Sequence, residues 1–215
     1  ERRYARKEKR RKPRNIVVRI LIVCEGEKTE PNYFKAFREI NQGTTIIEVK
    51  GCGANTISVV DEAIRLSERV EGSEQEYDRV WAVFDKDSFS SQRFNEAIAM
   101  ASQAGIDCAW SNEAFELWYL LHFAYLDTGI GRNAYVEKLQ GFFREKMGDT
   151  DFEYKKGNPN IYRLLQKHGS EDLAISHANK LRASYEGTDY ANHKPCTMVD
   201  KLVKELKDPK KLLKE

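Results

Sequence analysis

The chain has only four cysteines, Cys24, Cys52, Cys108 and Cys196, and no two of them form a Cys-x-x-Cys pair. That scatter argues against a zinc ribbon or a thioredoxin-like redox site, and free thiols in the cytoplasm are the simplest reading. The four histidines, His122, His168, His177 and His193, show no zinc-binding spacing either. No apolar run approaches the roughly eighteen residues that would suggest a membrane span. The N-terminus is basic but lacks an apolar segment with a cleavage signal, so no secretory peptide is expected. A P-loop is missing as well. Gly26-Glu27-Lys28-Thr29 has neither the upstream glycine nor the Gly-Lys pair, which argues against nucleoside-triphosphate binding.

What is present suffices for one moderate domain, or one domain with a sizeable insertion: 215 residues, of which 40% are hydrophobic and 33% charged. The net charge of +2 is unevenly spread. Residues 1–15 carry nine lysines and arginines against Glu1 and Glu8, a net of +7, which leaves the other 200 residues at −5. A basic arm on a mildly acidic body suits attraction to a polyanion, and equally a disordered solubilising tail.

From Ile16 to about Trp110 the pattern alternates between strand and helix. Apolar runs at Ile16–Cys24 and 79–84 predict strands buried on both faces, and Thr44–Val49 and 106–110 read as two further strands. Between them, 29–40, 56–70 and 91–103 read as helices, with Thr29-Glu30-Pro31 opening the first and Ser90-Ser91 leading into the last. This order predicts an α/β fold with a Rossmannoid core of about four parallel strands flanked by helices. Ser111-Asn112 is expected to cap an apolar helix running from Glu113 to Phe123. Beyond Gly131, segments 132–146, 159–168, 171–185 and 197–207 read as helical, with no convincing strand. The expected division is a basic arm at 1–15, an α/β core at 16–125 and a helical extension at 126–215.

Two acidic clusters stand at strand ends: Glu25-Gly26-Glu27-Lys28-Thr29-Glu30 after the first strand, and Asp85-Lys86-Asp87 after the third. In open α/β sheets, ligands bind beyond the carboxyl ends of the strands, at the point where strand order reverses. If the first and third strands are neighbours, Glu25, Asp85 and Asp87 converge there. Carboxylates so placed repel one another and call for a cation, and hard oxygen ligands suit Mg²⁺ or Mn²⁺. Glu25 could ligate the ion or act as general acid or base. The bland alternative is that Asp85 and Asp87 cap the next turn and Glu25 is a solvated loop residue.

Glu25 after the first strand with Asp85-x-Asp87 after the third resembles the Toprim domain of topoisomerases, primases and OLD-type nucleases. Four segments sharpen the resemblance. Val23–Phe34 is similar to the opening motif of the RloB family, bacterial proteins linked to restriction loci and abortive phage infection. Phe84-Asp85-Lys86-Asp87 and Ser111–Phe123 are similar to its second and third motifs, and Pro195–Val203 to its last. The similarity spans about residues 16–207. It implies a Toprim-like core, with Glu25 as acid/base residue and Asp85 and Asp87 as magnesium ligands.

Glu116 stands amid Phe115, Leu117 and Trp118, where an unpaired carboxylate is costly to bury. On a helix it would share a face with Glu113 and Leu120, and it is predicted to ligate the metal or support its ligands. Lys28 and Glu30 at the opening of the first helix, with Lys155, Lys156 and Lys194, are candidate nucleic-acid or phosphate contacts. Tyr154 or Tyr162 could stack on a base, though helix packing is the simpler role for each. The loop Lys50–Asn55 has glycines but no fixed register and reads as a turn. His122 is expected to be a hydrogen-bonded structural residue.

The expected activity is metal-dependent cleavage of phosphodiester bonds in nucleic acid, DNA or RNA, with tRNA among the candidates, within an antiphage system. A haloacid-dehalogenase-type phosphatase would place Asp-x-Asp after the first strand. A phospho-receiver would want a lysine after a later strand, where Trp110-Ser111-Asn112 offers none. The serious competitor is a non-catalytic sensor or scaffold beside an ATPase partner.

Overall fold

A computed structural model describes residues 17–53, 56–86 and 90–213. The basic arm and Asp87, both prominent in the sequence, lie outside the described residues. The sheet is built from β1 (Val18–Cys24), β2 (Thr45–Gly51), β3 (Arg79–Val83) and β4 (Asp107–Cys108), all parallel, in the order β2-β1-β3-β4. Helices α1 (Thr29–Ile40), α2 (Thr56–Glu68) and α3 (Ser91–Gln103) connect them. Parallel neighbours need such crossovers, since a tight hairpin can join only antiparallel strands. The expected α/β class and four-stranded parallel sheet are what the chain adopts. Because β2 lies on one side of β1 and β3 on the other, strand order reverses between β1 and β3.

Alternation along β1 divides the core. Ile20, Ile22 and Cys24 face a cluster containing Tyr33, Phe34, Phe37, Trp118 and the helical half. Leu21 and Val23 face a second cluster with Val59, Val60 and Ala63 of α2 and Phe94, Ala97 and Ala101 of α3. Both faces of β1 are therefore covered, which is why its sequence is apolar without interruption from Ile20 to Cys24. Trp118 and Tyr119 are fully buried, and truncating such a ring to alanine costs about 3–5 kcal/mol.

The helical half comprises α4 (Glu116–Leu121), α5 (Arg132–Met147), α6 (Ile161–His168), α7 (Glu171–Ala183) and α8 (Val199–Lys207). Two sequence expectations need correction here. Ser111-Asn112 is not a helix cap but a short strand, β5, paired antiparallel with β6 (Cys196–Thr197). The segment beyond Gly131 thus does contain a strand, where a helix was expected to begin at 197. The reason is long-range pairing: Ser111 N–H donates to Phe84 O, and its carbonyl accepts from Lys86 N–H, so the chain stays extended past β4 until β6 meets it. Helix α4 consequently starts at Glu116 rather than Glu113. None of the helices found among the described residues is long and apolar enough to cross a membrane.

Candidate functional site: an acidic cleft at the strand-order reversal

The ends of β1 and β3 remain zipped beyond the strands themselves. Glu25 N–H donates to Val83 O at 2.8 Å, and Asp85 N–H donates to Glu25 Oε2 at 3.0 Å. The predicted meeting of Glu25 with Asp85 is therefore present as a direct contact. From there the chain turns through Gly26 into α1, with Lys28 at the N-cap position and no side-chain cap hydrogen bond. Thr29 is thus the first helical residue rather than a cap. A Cβ at Gly26 would collide with the Glu30 carboxylate where it stands. Its absence lets the Glu30 carboxylate fold back under the strand end. Gly51, closing β2, has a similar role, since a Cβ would meet Gly26 O and Glu27 Cα at 2.7 Å.

Glu30 comes from α1 and Glu116 from the first turn of α4. Together with Glu25, Asp85, Arg132 and Lys156 they line a cleft of about 230 Å³. Glu30, Asp85 and Glu116 are buried while Glu25 is partly exposed. Four carboxylates from the two halves of the chain thus share one opening. Burial pushes the Asp85 carboxyl well above its ordinary pKa, with repulsion from Glu30, Glu116 and Glu25 adding to it and Arg132 opposing it. Burial likewise raises Glu30, against hydrogen bonds from its own backbone and that of Gly26 and attraction to Arg132.

Two cations reach in from the helical half. Arg132 Nη2 is 3.1 Å from Asp85 Oδ2, and Lys156 Nζ is 3.6 Å from Glu116 Oε1. They do not close the cleft, since their side chains keep 31% and 49% of their exposure. Nor do they satisfy it. Glu30 Oε2, Asp85 Oδ1 and Glu116 Oε1 are buried without a hydrogen-bond partner among the described residues. Buried polar atoms are normally paired, so three orphaned carboxylate oxygens lining one cleft fit a hard cation. The full coordination set does not stand ready, however. Among the described residues no three His, Cys, Asp or Glu side chains are arranged to hold a metal ion.

The remaining sequence candidates divide. Lys156 lies in the cleft and also lines an adjoining one of about 480 Å³ with Lys28 and Thr29. Lys155 is exposed and lines neither. Lys194 pairs with Glu113 at 2.5 Å and does not line the cleft. Glu30 belongs with the carboxylates. Tyr154 is buried, and Tyr162 packs edge-on against Tyr33 and Phe37, so both serve as core side chains. His122 is buried, with Nδ1 2.9 Å from Trp118 O, and burial lowers its pKa to about 4. Burial also raises all four cysteines, Cys108 and Cys196 to about 12, the reverse of what a nucleophilic thiolate requires.

Arg132 was missed by sequence reasoning, although one signal for it exists. It is the first residue of α5, where a cation opposes the helix dipole, so some other carboxylate must repay its placement.

No curated protein matches the chain, and neither does any solved structure. A family profile for RloB-like proteins matches residues 20–206, from β1 through α8. The match includes every described side chain of the cleft, and the chain belongs to the RloB-like protein family.

Proposed function

We propose that the chain is a Toprim-type, metal-dependent phosphodiesterase that cleaves nucleic acid in a bacterial antiphage system. The observation that carries this reading is the set of three buried carboxylate oxygens left without hydrogen bonds in one open cleft. Asp85, Glu116, Glu30 and Glu25 would hold Mg²⁺ or Mn²⁺, with Asp87 two residues beyond Asp85 as a further ligand. Such an ion supplies charge neutralisation at the phosphate and lowers the pKa of a bound water. Glu25 is the carboxylate with solvent access, so it is suited to accept a proton from the attacking water. The Asp85 N–H holds one Glu25 oxygen in place, which fixes the direction of that transfer. Lys156 and Lys28 border the cleft where a polynucleotide backbone would run. The basic arm would add attraction independent of sequence, lost steeply as salt rises.

A second reading, a non-catalytic nucleic-acid sensor or scaffold beside an ATPase partner, draws on a specific observation. Asp85 and Glu116 are already paired with Arg132 and Lys156, as they would be in a site that never takes a metal. Incubation of the purified chain with single-stranded DNA, duplex DNA and tRNA, with Mg²⁺ or Mn²⁺, separates the two. Cleavage of one substrate by the wild type and not by Asp85→Ala supports the nuclease. Equal cleavage by both means contamination. No cleavage of any substrate favours the sensor.

A further inference from the structure

Asp85 is approached from two directions. Its Oδ2 accepts from Arg132 at 3.1 Å, while Oδ1 is buried with no hydrogen-bond partner. Glu116 repeats the arrangement, with Lys156 at ion-pair range of Oε1, a buried oxygen that lacks a hydrogen bond. The carboxylates come from the strand ends and from α1 and α4, whereas both cations come from α5 and the segment after it. Four carboxylates against two cations leave the cleft short of positive charge. A doubly charged ion would remove the deficit. It would also repel a guanidinium on the same carboxylate, at a distance where Coulomb interaction is strong in a partly desolvated site. Arg132 is well suited to a second employment, because its planar fork matches phosphate as well as carboxylate. Its side chain is 31% exposed, so it can leave Asp85 without disrupting the core.

We propose that a divalent cation and Arg132 compete for Asp85, and that loading the ion releases the guanidinium to bind the incoming phosphodiester. Arg132 is then the phosphate-capturing residue of the cleft, and nucleic-acid affinity depends on the metal through it. The proposal rests on the metal-dependent reading and deepens it. The pairing of Asp85 with Arg132 becomes the resting state of a site that takes metal first and phosphate second.

The test uses the full chain and two binding measurements that need no turnover. Mn²⁺ alone is titrated into wild type and Arg132→Gln by calorimetry. A short labelled single-stranded DNA and a labelled tRNA are then titrated by fluorescence anisotropy with and without Mn²⁺, the nucleic acid being checked intact on a gel. The two effects of Arg132→Gln should have opposite signs. With coupling in the usual range for linked sites, Mn²⁺ should bind about tenfold more tightly and nucleic acid with Mn²⁺ about tenfold more weakly. In wild type Mn²⁺ should strengthen nucleic-acid binding, and Arg132→Gln should lose that gain. Arg132→Lys, which keeps the charge without the fork, should recover part of it. A merely structural arginine would weaken both ligands together and lower the melting temperature, which overturns the proposal. So does an Mn²⁺ affinity that Arg132→Gln leaves unchanged. If neither protein binds Mn²⁺, the metal-dependent reading itself fails, a result distinct from the other two.

Discussion

Asp200 and Asp85 are both buried carboxylates with an arginine beside them, yet the chain treats them differently. Asp200 is fully buried on α8, and both its oxygens are used. Arg182 of α7 forks onto it, Lys204 joins at 3.0 Å, and Arg182 also donates to Thr197 O of β6 at 2.7 Å. That network ties α7, β6 and α8 into one unit, and no acceptor is left over on the carboxylate. Asp85 keeps one oxygen orphaned and shares its surroundings with three more carboxylates. An unsatisfied buried group costs about 1–3 kcal/mol, so the cleft stores a penalty that the Asp200 network avoids. A saturated ionic cluster holds a fold together. An unsaturated one in an open cleft has acceptors to spare for a ligand.

The sharpest way to break this comparison is to remove each carboxylate. Asp200→Ala strands the Arg182 guanidinium, whose side chain is 17% exposed, and breaking a buried pair on one side costs about 3–5 kcal/mol. We expect the melting temperature to fall by about 6–20 °C, at about 2–4 °C per kcal/mol for a chain of this size. Asp200→Asn should recover part of the loss. Thermal melts followed by circular dichroism measure both, and a drop under a few degrees would remove Asp200 from its structural role.

Glu116→Gln should do the opposite, leaving the melt little changed but reducing Mn²⁺ affinity. Loss of a ligand or of its support typically costs about 10–100-fold. Calorimetry reads this directly. An unchanged affinity would confine Glu116 to its pairing with Lys156.

The same contrast explains how much could be read from sequence. Strands β1 to β3 and helices α1 to α3 were legible because each is long enough to show its period, with both faces of β1 buried. The meeting of Glu25 with Asp85 was legible because each directly follows an apolar strand and the two strands are neighbours. β5 and β6 were not, since each is two residues long and their pairing joins distant positions, Ser111 with Thr197, 86 apart, and Asn112 with Cys196, 84 apart. Glu116 was singled out as a carboxylate among aromatics and does line the cleft, but the helix placed around it began three residues too early. Glu30 was grouped with the candidate phosphate contacts because the RloB-like opening motif includes it. Only the close approach at Gly26 brings it among the carboxylates. Arg132 stands alone at the start of α5, and nothing within its own segment says that it reaches Asp85. Asp200 falls in the last motif of the RloB resemblance, where a sequence alone cannot separate a buried strut from a site residue.

The smallest effect concerns charge in the metal-free cleft. The folded pKa values of Asp85 and Glu30 are raised above the roughly 3.9–4.3 of an unfolded chain. Between those limits the folded protein holds protons that the unfolded chain has already lost. Stability therefore falls as pH rises from about 4 through the raised values. Asp85→Asn removes one of the charges while keeping an acceptor for Arg132, so the metal-free variant should melt higher than wild type at neutral pH. We expect a gain of about 1 kcal/mol, or about 2–4 °C, shrinking to nothing near pH 4. Saturating Mn²⁺ should reverse the order, because a cation that binds only the folded wild type stabilises it by mass action. A neutral-pH melt in which metal-free Asp85→Asn is the less stable protein would mean that the pair with Arg132 outweighs the burial of Asp85. The cleft would then be a structural cluster of the same kind as the one around Asp200.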